Sequence, residues 1–417
     1  MGKRVLVVGS GGREHAIVKS FSNSPKVEKI YCAPGNAGIS EQAECINIKV
    51  TDVEALVNFA QRNHIDLVVI GPEAALDAGL ADALLKADIK VFGPSRSAAR
   101  VESSKEYAKK LMKKYHVPTA EYSSFNNFGE ALEYIKNKPM PIVIKYDGLA
   151  AGKGVIIAQT QNEAKEALKE ILQNKIFGDG NVIIEDFLEG PEFSFMCFVN
   201  GEKVYPLEIA QDHKRAFDGD KGPNTGGMGA YSPVPFITVE IREKALNEIM
   251  KPMASALVKE NNSFCGVLYG GLILTKDGPK VIEFNARFGD PETEVVLPRL
   301  ESDLYEFIEA VLKGDEFLPE WSKDAVLGVV LASQGYPGSY EKGKIIKGLD
   351  KLSGDVFHMG TVKNKDEYKT DGGRVLMVTG RGDDLAEANL NAISEIALIE
   401  CDSLFHRTDI GKAVLNN

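Results

Sequence analysis

The sequence predicts an α/β protein, α+β in parts, that opens with a doubly wound parallel-sheet domain. Three observations predict it. Short apolar runs at residues 5–8, 67–70 and 89–92 each end in a glycine or Gly-Pro turn, as strands covered on both faces do. Helical stretches separate these runs, the alternation of a βαβ chain. Beyond residue 193 the pattern changes to hairpins, with Asn200-Gly201 and Lys276-Asp277-Gly278 at turn positions.

In chain order, residues 5–8 run into Gly9-Ser10-Gly11-Gly12, and a helix begins near Arg13. Residues 95–115 read as one helix that stops before Val117-Pro118. Residues 141–145 and 155–158 are strands on either side of the glycine-rich stretch 147–154, followed by a helix over 162–174 and a strand over 182–187. Residues 193–199 and 203–209 form a hairpin, in which Asn-Gly would supply the positive φ angles of a type I′ turn. Residues 267–274 and 280–284 form a second hairpin, and a strand over 326–332 opens the last quarter. The 417 residues suit about three domains. They divide as 1–102, 103–325 (with a small subdomain at about 118–188) and 326–417.

The 49 basic and 60 acidic residues leave a net charge of −11, which disfavours nucleic acid and acidic membrane as general partners. Five scattered cysteines with no Cys-x-x-Cys pair fit neither a disulfide framework nor a zinc site and suggest a reducing compartment. The apolar run after Lys3-Arg4 is too short for a signal peptide, and no run is long enough to span a bilayer. A cytoplasmic location is expected.

Four segments carry chemistry. Gly9-Ser10-Gly11-Gly12-Arg13-Glu14-His15 stands between a strand and a helix, where backbone N–H groups can meet an anion. The dinucleotide fingerprint fails, because Glu14 occupies its third glycine and no acid ends the second strand. A phosphate site and a plain tight turn both remain open. Lys145 and the loop Asp147-Gly148-Leu149-Ala150-Ala151-Gly152-Lys153-Gly154 superficially resemble a phosphate-binding P-loop, but the spacing and the strand-to-strand context are wrong. What remains is a flexible, lysine-bearing loop that could fold over phosphates, or a surface hairpin. Residues 211–229 form a long, glycine-rich loop that concentrates Asp212, His213, Lys214 and Arg215, which suits a substrate loop. Finally, Glu283, Asn285 and Arg287 alternate along a strand and share a face. Two oxygen ligands suit Mg²⁺, and the guanidinium suits a phosphoryl or acyl-phosphate group. A surface ion pair between Glu283 and Arg287 is the alternative. The intervening Ile282, Phe284 and Ala286 put the opposite face in the core.

Together these segments resemble the ATP-grasp ligases and, within them, the phosphoribosylamine–glycine ligase family. The carrying motifs are Gly9 to His15, Ala33-Pro34-Gly35-Asn36-Ala37-Gly38, Gly71-Pro72-Glu73, residues 147–155, 211–231 and Arg287-Phe288-Gly289-Asp290-Pro291-Glu292. They run through most of the chain in the family's order. The resemblance implies an ATP-grasp fold with an N-terminal phosphoribosyl-binding domain, a lid subdomain and a C-terminal mixed α/β domain. It implies ligation of glycine to 5-phosphoribosylamine, with ATP cleaved to ADP and phosphate through glycyl phosphate. It further implies ATP and Mg²⁺ (or Mn²⁺) as cofactors, small-molecule substrates as the only partners, and a monomer.

The family's roles carry over by position. Lys105 and Lys145 would hold ATP phosphates, with Gly152, Lys153 and Gly154 in a lid above them. Glu185, Asp186, Phe187 and Leu188 would line the adenine, and Glu192 would bind the ribose. Glu283 and Asn285 would ligate the metal, and Arg287 would stabilise the transferring phosphoryl group. Asp212 and Lys214 are catalytic candidates together with Asp290. His213, Arg215 and Gly289 would position glycine and phosphoribosylamine, while Gly11, Gly12, Arg13 and Asn36 would face the phosphoribosyl group. Pro191 replaces one of two consecutive acids usual in the family, Ser10 replaces a glycine, and Glu294 stands where Gln is also common. None of these removes a charge that the mechanism needs. A nucleotide-binding protein without catalysis would not need the Glu283–Arg287 face, and another carboxylate–amine ligase would not need the 211–229 loop. If Lys153 belongs to a phosphate lid, Lys153→Ala raises KM for ATP by about tenfold, or ~1.4 kcal/mol, and KM for glycine by less. Equal shifts in the two constants would count against the lid.

Overall fold

The protein is described from a computed structural model covering residues 2–148 and 154–415. Strand Lys3–Gly9 is the centre of a five-stranded parallel sheet, flanked by Val27–Pro34 and Leu67–Ile70, with Glu44–Cys45 and Val91–Phe92 at the edges. Its four apolar residues are all fully buried. Leu6 and Val8 pack into the core that holds Leu56, Ala60 and Leu84, whereas Val5 and Val7 pack with Ile17 and Phe21. A continuous apolar run therefore means helices on both faces. The third expected strand is only Val91–Phe92, since Lys90 is exposed at the sheet edge.

Strand order reverses between Lys3–Gly9 and Leu67–Ile70. This makes a topological switch point at their carboxyl ends, the usual ligand crevice of such sheets. Here the crevice is filled from within. Glu14, in helix Gly12–Ser22, turns its carboxylate back to accept from Gly11 N (2.6 Å) and Arg13 Nε (2.5 Å). A Cβ on Gly9 (φ +138°) or Gly71 would collide with that carboxylate. The anion at this helix start belongs to the protein, which explains physically why the glycine loop departs from the dinucleotide fingerprint.

The single helix expected over residues 95–115 is interrupted. Arg100–Ser103 ends at Ser104, whose extended backbone (φ −130°, ψ 103°) and hydroxyl cap a new helix, Lys105–Lys114. Asp147 supports the same start, accepting from Glu106 N at 3.1 Å. The capping serine thus places Lys105 in the first turn, beside the lid.

The segment expected as a lid subdomain holds a four-stranded antiparallel sheet in the order Tyr122–Phe125, Val182–Asp186, Ile142–Tyr146, Val155–Ala158. Helices Phe128–Ile135 and Gln161–Leu172 cover it, and it has its own small core around Ile142, Ile144, Leu168 and Ile184. A second antiparallel sheet runs in the order Lys203–Pro206, Glu192–Asn200, Cys265–Thr275, Gly278–Asn285, and Lys145 of the first sheet donates to Ile282 O of the second. Its first hairpin corrects the expected turn. Asn200 pairs with Lys203, so Gly201 and Glu202 form the loop, and of these only Gly201 (φ +61°) has positive φ. A type I′ turn needs positive φ at both central residues.

The expected structureless loop at 211–229 is built instead. Gln211–Asp212 pairs with Gly229–Ser232, which pairs with Ala325–Ser333. Between them, Arg215–Phe217 and Lys221–Asn224 form a small two-stranded excursion. The loop's two ends are therefore strands of the C-terminal sheet, whose other members are Arg374–Gly382, Val356–His358 and Leu404–Phe405. No helix among the described residues is long and apolar enough to cross a membrane.

Buried histidines join the first and last domains. His358 N donates to His15 Nδ1 at 2.8 Å, and His358 Nδ1 meets Thr361 Oγ1 at 2.8 Å. Burial lowers the pKa of His15 to about 3 and of His358 to about 4, from an ordinary 6.5. Both are neutral when folded, and a proton on His15 Nδ1 would face an N–H. Below pH 6.5 the unfolded chain binds protons that the folded chain refuses, so stability falls as pH drops toward 4. Each histidine contributes a slope of about 1.4 kcal/mol per pH unit in that window. Thermal denaturation at pH 7.5 and pH 5 is expected to show a lower Tm at pH 5, with a smaller drop in His358→Gln. An identical drop in the variant would refute the assignment.

Candidate active site

The site grows from the end of strand Gly278–Asn285. A bulge falls at Ile282, since Gly271 pairs with Glu283 while Leu272 pairs with Val281. Phe284 and Ala286 pack into the core as expected, but Ile282 is only half-buried because the bulge breaks strict alternation. The chain leaves the sheet at Ala286, whose N–H donates to Glu102 at 2.8 Å. Arg287 lies just beyond. Its guanidinium pairs with Glu102 (3.0 Å) and Glu73 (3.6 Å) and donates to Asn285 Oδ1 at 3.3 Å. The alternative pair with Glu283 does not form. Burial alone would lower the Arg287 pKa, but Glu102 raises it further. Glu283 has no ion pair among the described residues, yet Lys214, Lys145 and Lys105 outweigh burial and hold its carboxyl below the ordinary range.

Helix Lys105–Lys114 and strand Ile142–Tyr146 supply the cations. Lys145, at the end of its strand, pairs with Glu185 at 3.0 Å and donates to Ile282 O at 2.9 Å. Lys109 pairs with the other Glu185 oxygen at 2.8 Å and donates to Thr119 Oγ1 at 2.8 Å. These three charged side chains are 2–4% exposed. Burial, partly offset by Glu185, brings Lys109 down to about 8. Lys105 donates to Gly148 O at 2.9 Å, and burial lowers its pKa too.

The Glu185 carboxylate is thus committed to two lysines. Asp186 pairs with Lys138 (2.8 Å), and Phe187 and Leu188 lie past the end of the ladder. Glu192 is exposed and accepts from Lys214 at 3.1 Å. Gly154 O accepts from Tyr146 N at 2.8 Å, while Gly152 and Lys153 lie outside the described residues.

The 211–229 segment approaches from the other side. Burial raises Asp212 to about 7; Lys214 opposes this, and Glu292, Glu192 and Glu283 add to it. The field of Glu192 and Asp212 overcomes burial and holds the Lys214 ammonium well above its ordinary range. His213 is lowered to about 4 by burial, and its Nε2 accepts from Gly411 N at 3.4 Å. Arg215 is turned into its own excursion, donating to Gly222 O at 2.8 Å.

Asp290 pairs with Arg374 of the C-terminal domain at 2.9 Å, and Arg374 also donates to Gly226 O at 2.7 Å. Gly289 leaves room for Glu292, which accepts from Ser194 Oγ at 2.9 Å and from Tyr269 OH. Arg13 crosses from the first domain to donate to Phe288 O at 3.1 Å. Gly11 N–H is taken by Glu14, and Gly12 lies against Glu294 and Met359. The Asn36 side chain is used internally, donating to Ser10 O and His358 O and accepting from Gly38 N and Ile39 N.

The fold therefore brings Lys105, Lys145, Asp212, Lys214, Glu283, Asn285 and Arg287 to one cleft, with Arg13, Gly289 and Asp290 at its far wall. Arg215 and Asn36 are occupied elsewhere. Sequence reasoning missed Glu102, Lys109 and Arg374. Lys109 had a signal, since it stands four residues from Lys105 on one helix. Glu102 and Arg374 had none, because their partners are distant in sequence. Two surface depressions of about 450 and 550 Å³ contain none of these residues.

Comparison with known proteins supports one family throughout. Family models described as phosphoribosylglycinamide synthetase N domain, ATP-grasp (A) domain and C domain match residues 3–102, 103–293 and 326–413. The phosphoribosylamine–glycine ligase of Halalkalibacterium halodurans is 54% identical over 99% of this chain and 97% of its own length. That of Listeria monocytogenes is 51% identical over 98% and 99%. The crystal structure of the Thermotoga maritima phosphoribosylamine–glycine ligase superposes with a TM-score of 0.86 at 35% identity, covering 98% of this chain and all of that one. A biotin carboxylase domain from Hydrogenobacter thermophilus shares the fold at 16% identity and a TM-score of 0.75, covering 97% of this chain and 92% of that one. Matched from end to end in this way, the chain belongs to the phosphoribosylamine–glycine ligase (phosphoribosylglycinamide synthetase) family of ATP-grasp proteins.

Proposed function

We propose that this protein joins glycine to 5-phosphoribosylamine, cleaving ATP to ADP and phosphate and releasing glycinamide ribonucleotide. The observation that carries the reading is the strand end where Glu283, Asn285 and Arg287 meet the lysines of the lid and loop, in a chain 54% identical to a ligase of that name. A glycine carboxylate oxygen bonds to the γ-phosphorus, and the bond from that phosphorus to the bridging oxygen breaks onto ADP. The amine nitrogen then bonds to the glycyl carbonyl carbon, and phosphate leaves. Lys105 and Lys145 hold the phosphates. Arg287, fixed by Glu102 and Glu73, faces the charge that spreads over the transferring group. Lys214 holds the glycine carboxylate. Asp212, pushed up to about 7, takes the proton that the amine loses. Arg13, Gly289 and Asp290 line the phosphoribosyl side.

The residues present fit Mg²⁺. Glu283 is ionised and without a direct pair among the described residues. With Asn285 it offers two oxygens, as sites completed by substrate phosphates do. When bound, the metal neutralises phosphate charge; Mn²⁺ has the same ligand preference for oxygen.

Phosphate release with ATP, Mg²⁺, glycine and freshly generated phosphoribosylamine is expected to need every component; release without phosphoribosylamine would reopen the choice of amine. Arg287→Ala would strand the buried Glu102, at about 3–5 kcal/mol, so Arg287→Lys is the cleaner variant. It is expected to lower kcat by about 10³-fold with Tm nearly kept. Near-normal turnover would sink the role of Arg287. For Asp212→Asn, kcat is expected to fall by about 10²–10⁴-fold, and the loss of rate below pH 7 is expected to disappear. An unchanged acid limb would assign the proton elsewhere.

A further inference from the structure

The excursion Arg215–Phe217/Lys221–Asn224 is too short to hold itself. A lone two-stranded ribbon is marginal in water, and this one has a register shift between Arg215 and Phe217. Its support comes from the far end of the chain. Arg407, 1% exposed, grips Asp409 with two nitrogens, at 2.7 and 2.9 Å. With Nη1 it also donates to Asp220 Oδ1 at 2.9 Å and to the backbone oxygen of Arg215 at 3.1 Å. Asp409 in turn accepts from Gly219 N at 2.8 Å, and Thr408 holds Asp218 through its N–H and hydroxyl, at 2.8 and 2.5 Å.

The tip of the excursion and the first peptide of its first strand are therefore held by three consecutive residues of the C-terminal segment. That peptide adjoins Lys214, whose own carbonyl is held by Thr225 N at 2.7 Å and Thr225 Oγ1 at 2.9 Å. On its other side His213 is held by Gly229 O and Met228 N, at 2.9 and 2.7 Å, and the Lys214 ammonium lies beside Glu192. A buried planar fork with four acceptors is a costly arrangement for a surface loop, and its partners are Arg215, Asp220 and Asp409 rather than Lys105 or Lys145.

We propose that Arg407 is a positioning residue for the substrate loop, setting Lys214 through the carbonyl of Arg215 and the carboxylates of Asp220 and Asp409. The inference rests on the reading that this loop receives glycine and phosphoribosylamine. Loss of Arg407 is then felt in the affinity for those two substrates and not in that for ATP.

The test compares Arg407→Gln with Lys214→Met in the full chain, measuring KM for each substrate, Kd for ATP by calorimetry, and amide exchange over residues 211–229. Arg407→Gln is expected to raise KM for glycine and phosphoribosylamine by about tenfold, to leave Kd for ATP within about twofold, and to speed exchange in the excursion. Faster exchange with unchanged KM values, or equal shifts for all three substrates, would overturn the proposal and leave Arg407 a purely structural tie. If Lys214→Met itself leaves both KM values unchanged, the loop reading fails first. If Lys214→Met shifts them and Arg407→Gln does not, only the proposal about Arg407 falls. Should Arg407→Gln not fold, Asp409→Asn, which loosens the same grip, is judged by the same criteria.

Discussion

Everything in this protein turns on burying charges that must remain charged. A phosphoryl-transfer cleft needs lysine, arginine and carboxylate side chains close together and away from bulk water. Left uncompensated, each would cost several kcal/mol. The compensation comes partly across domain boundaries and partly within the central domain. Arg287 of the central domain is held by Glu102 and Glu73. Asp290 is held by Arg374 of the C-terminal domain. Lys145 and Lys109 share Glu185, and Lys214 leans on Glu192. The pairs of Arg287 and Asp290 tie the three domains together at the site. Two carboxyls a short way apart are driven in opposite directions, Glu283 down among lysines and Asp212 up by burial. That separation is what the proposed metal and proton roles of the two would require.

Much of what depends on local pattern was legible in the sequence, although the turn at Asn200-Gly201 was not. The apolar run at 5–8 read correctly as a doubly covered strand because its burial is continuous, and Glu283 and Asn285 read as cleft residues because alternation is a property of the strand itself. The ends of elements were harder. Ser104 breaks a helix whose periodicity runs straight through it, and the bulge at Ile282 is invisible to alternation. The 211–229 segment looked structureless because its strands are two to four residues long and pair with partners far along the chain.

The least legible features were those made by tertiary contact alone. Glu14 spoils a fingerprint in the sequence; in the fold its carboxylate occupies the crevice that the fingerprint would have opened. Glu185 carries a side chain suited to reading a base edge, but two lysines bring it inside. Arg374 and Arg407 sit on a domain that shows no motif, and their roles emerge only from what they touch.

The pairing of Gly229–Ser232 with Ala325–Ser333 also bears on how the protein is made. Gly229 lies opposite Val329, a hundred residues further on. On a ribosome, the first domain and the lid can close early, since their strands find partners nearby. The loop cannot be completed until the chain beyond Ser333 has emerged, and the grip on its tip waits for almost the last residues. A nascent chain would thus complete the first domain and the lysine-bearing sheet well before it fixed the 211–229 segment, and genetic exchange at residue 325 would split one sheet between two parents.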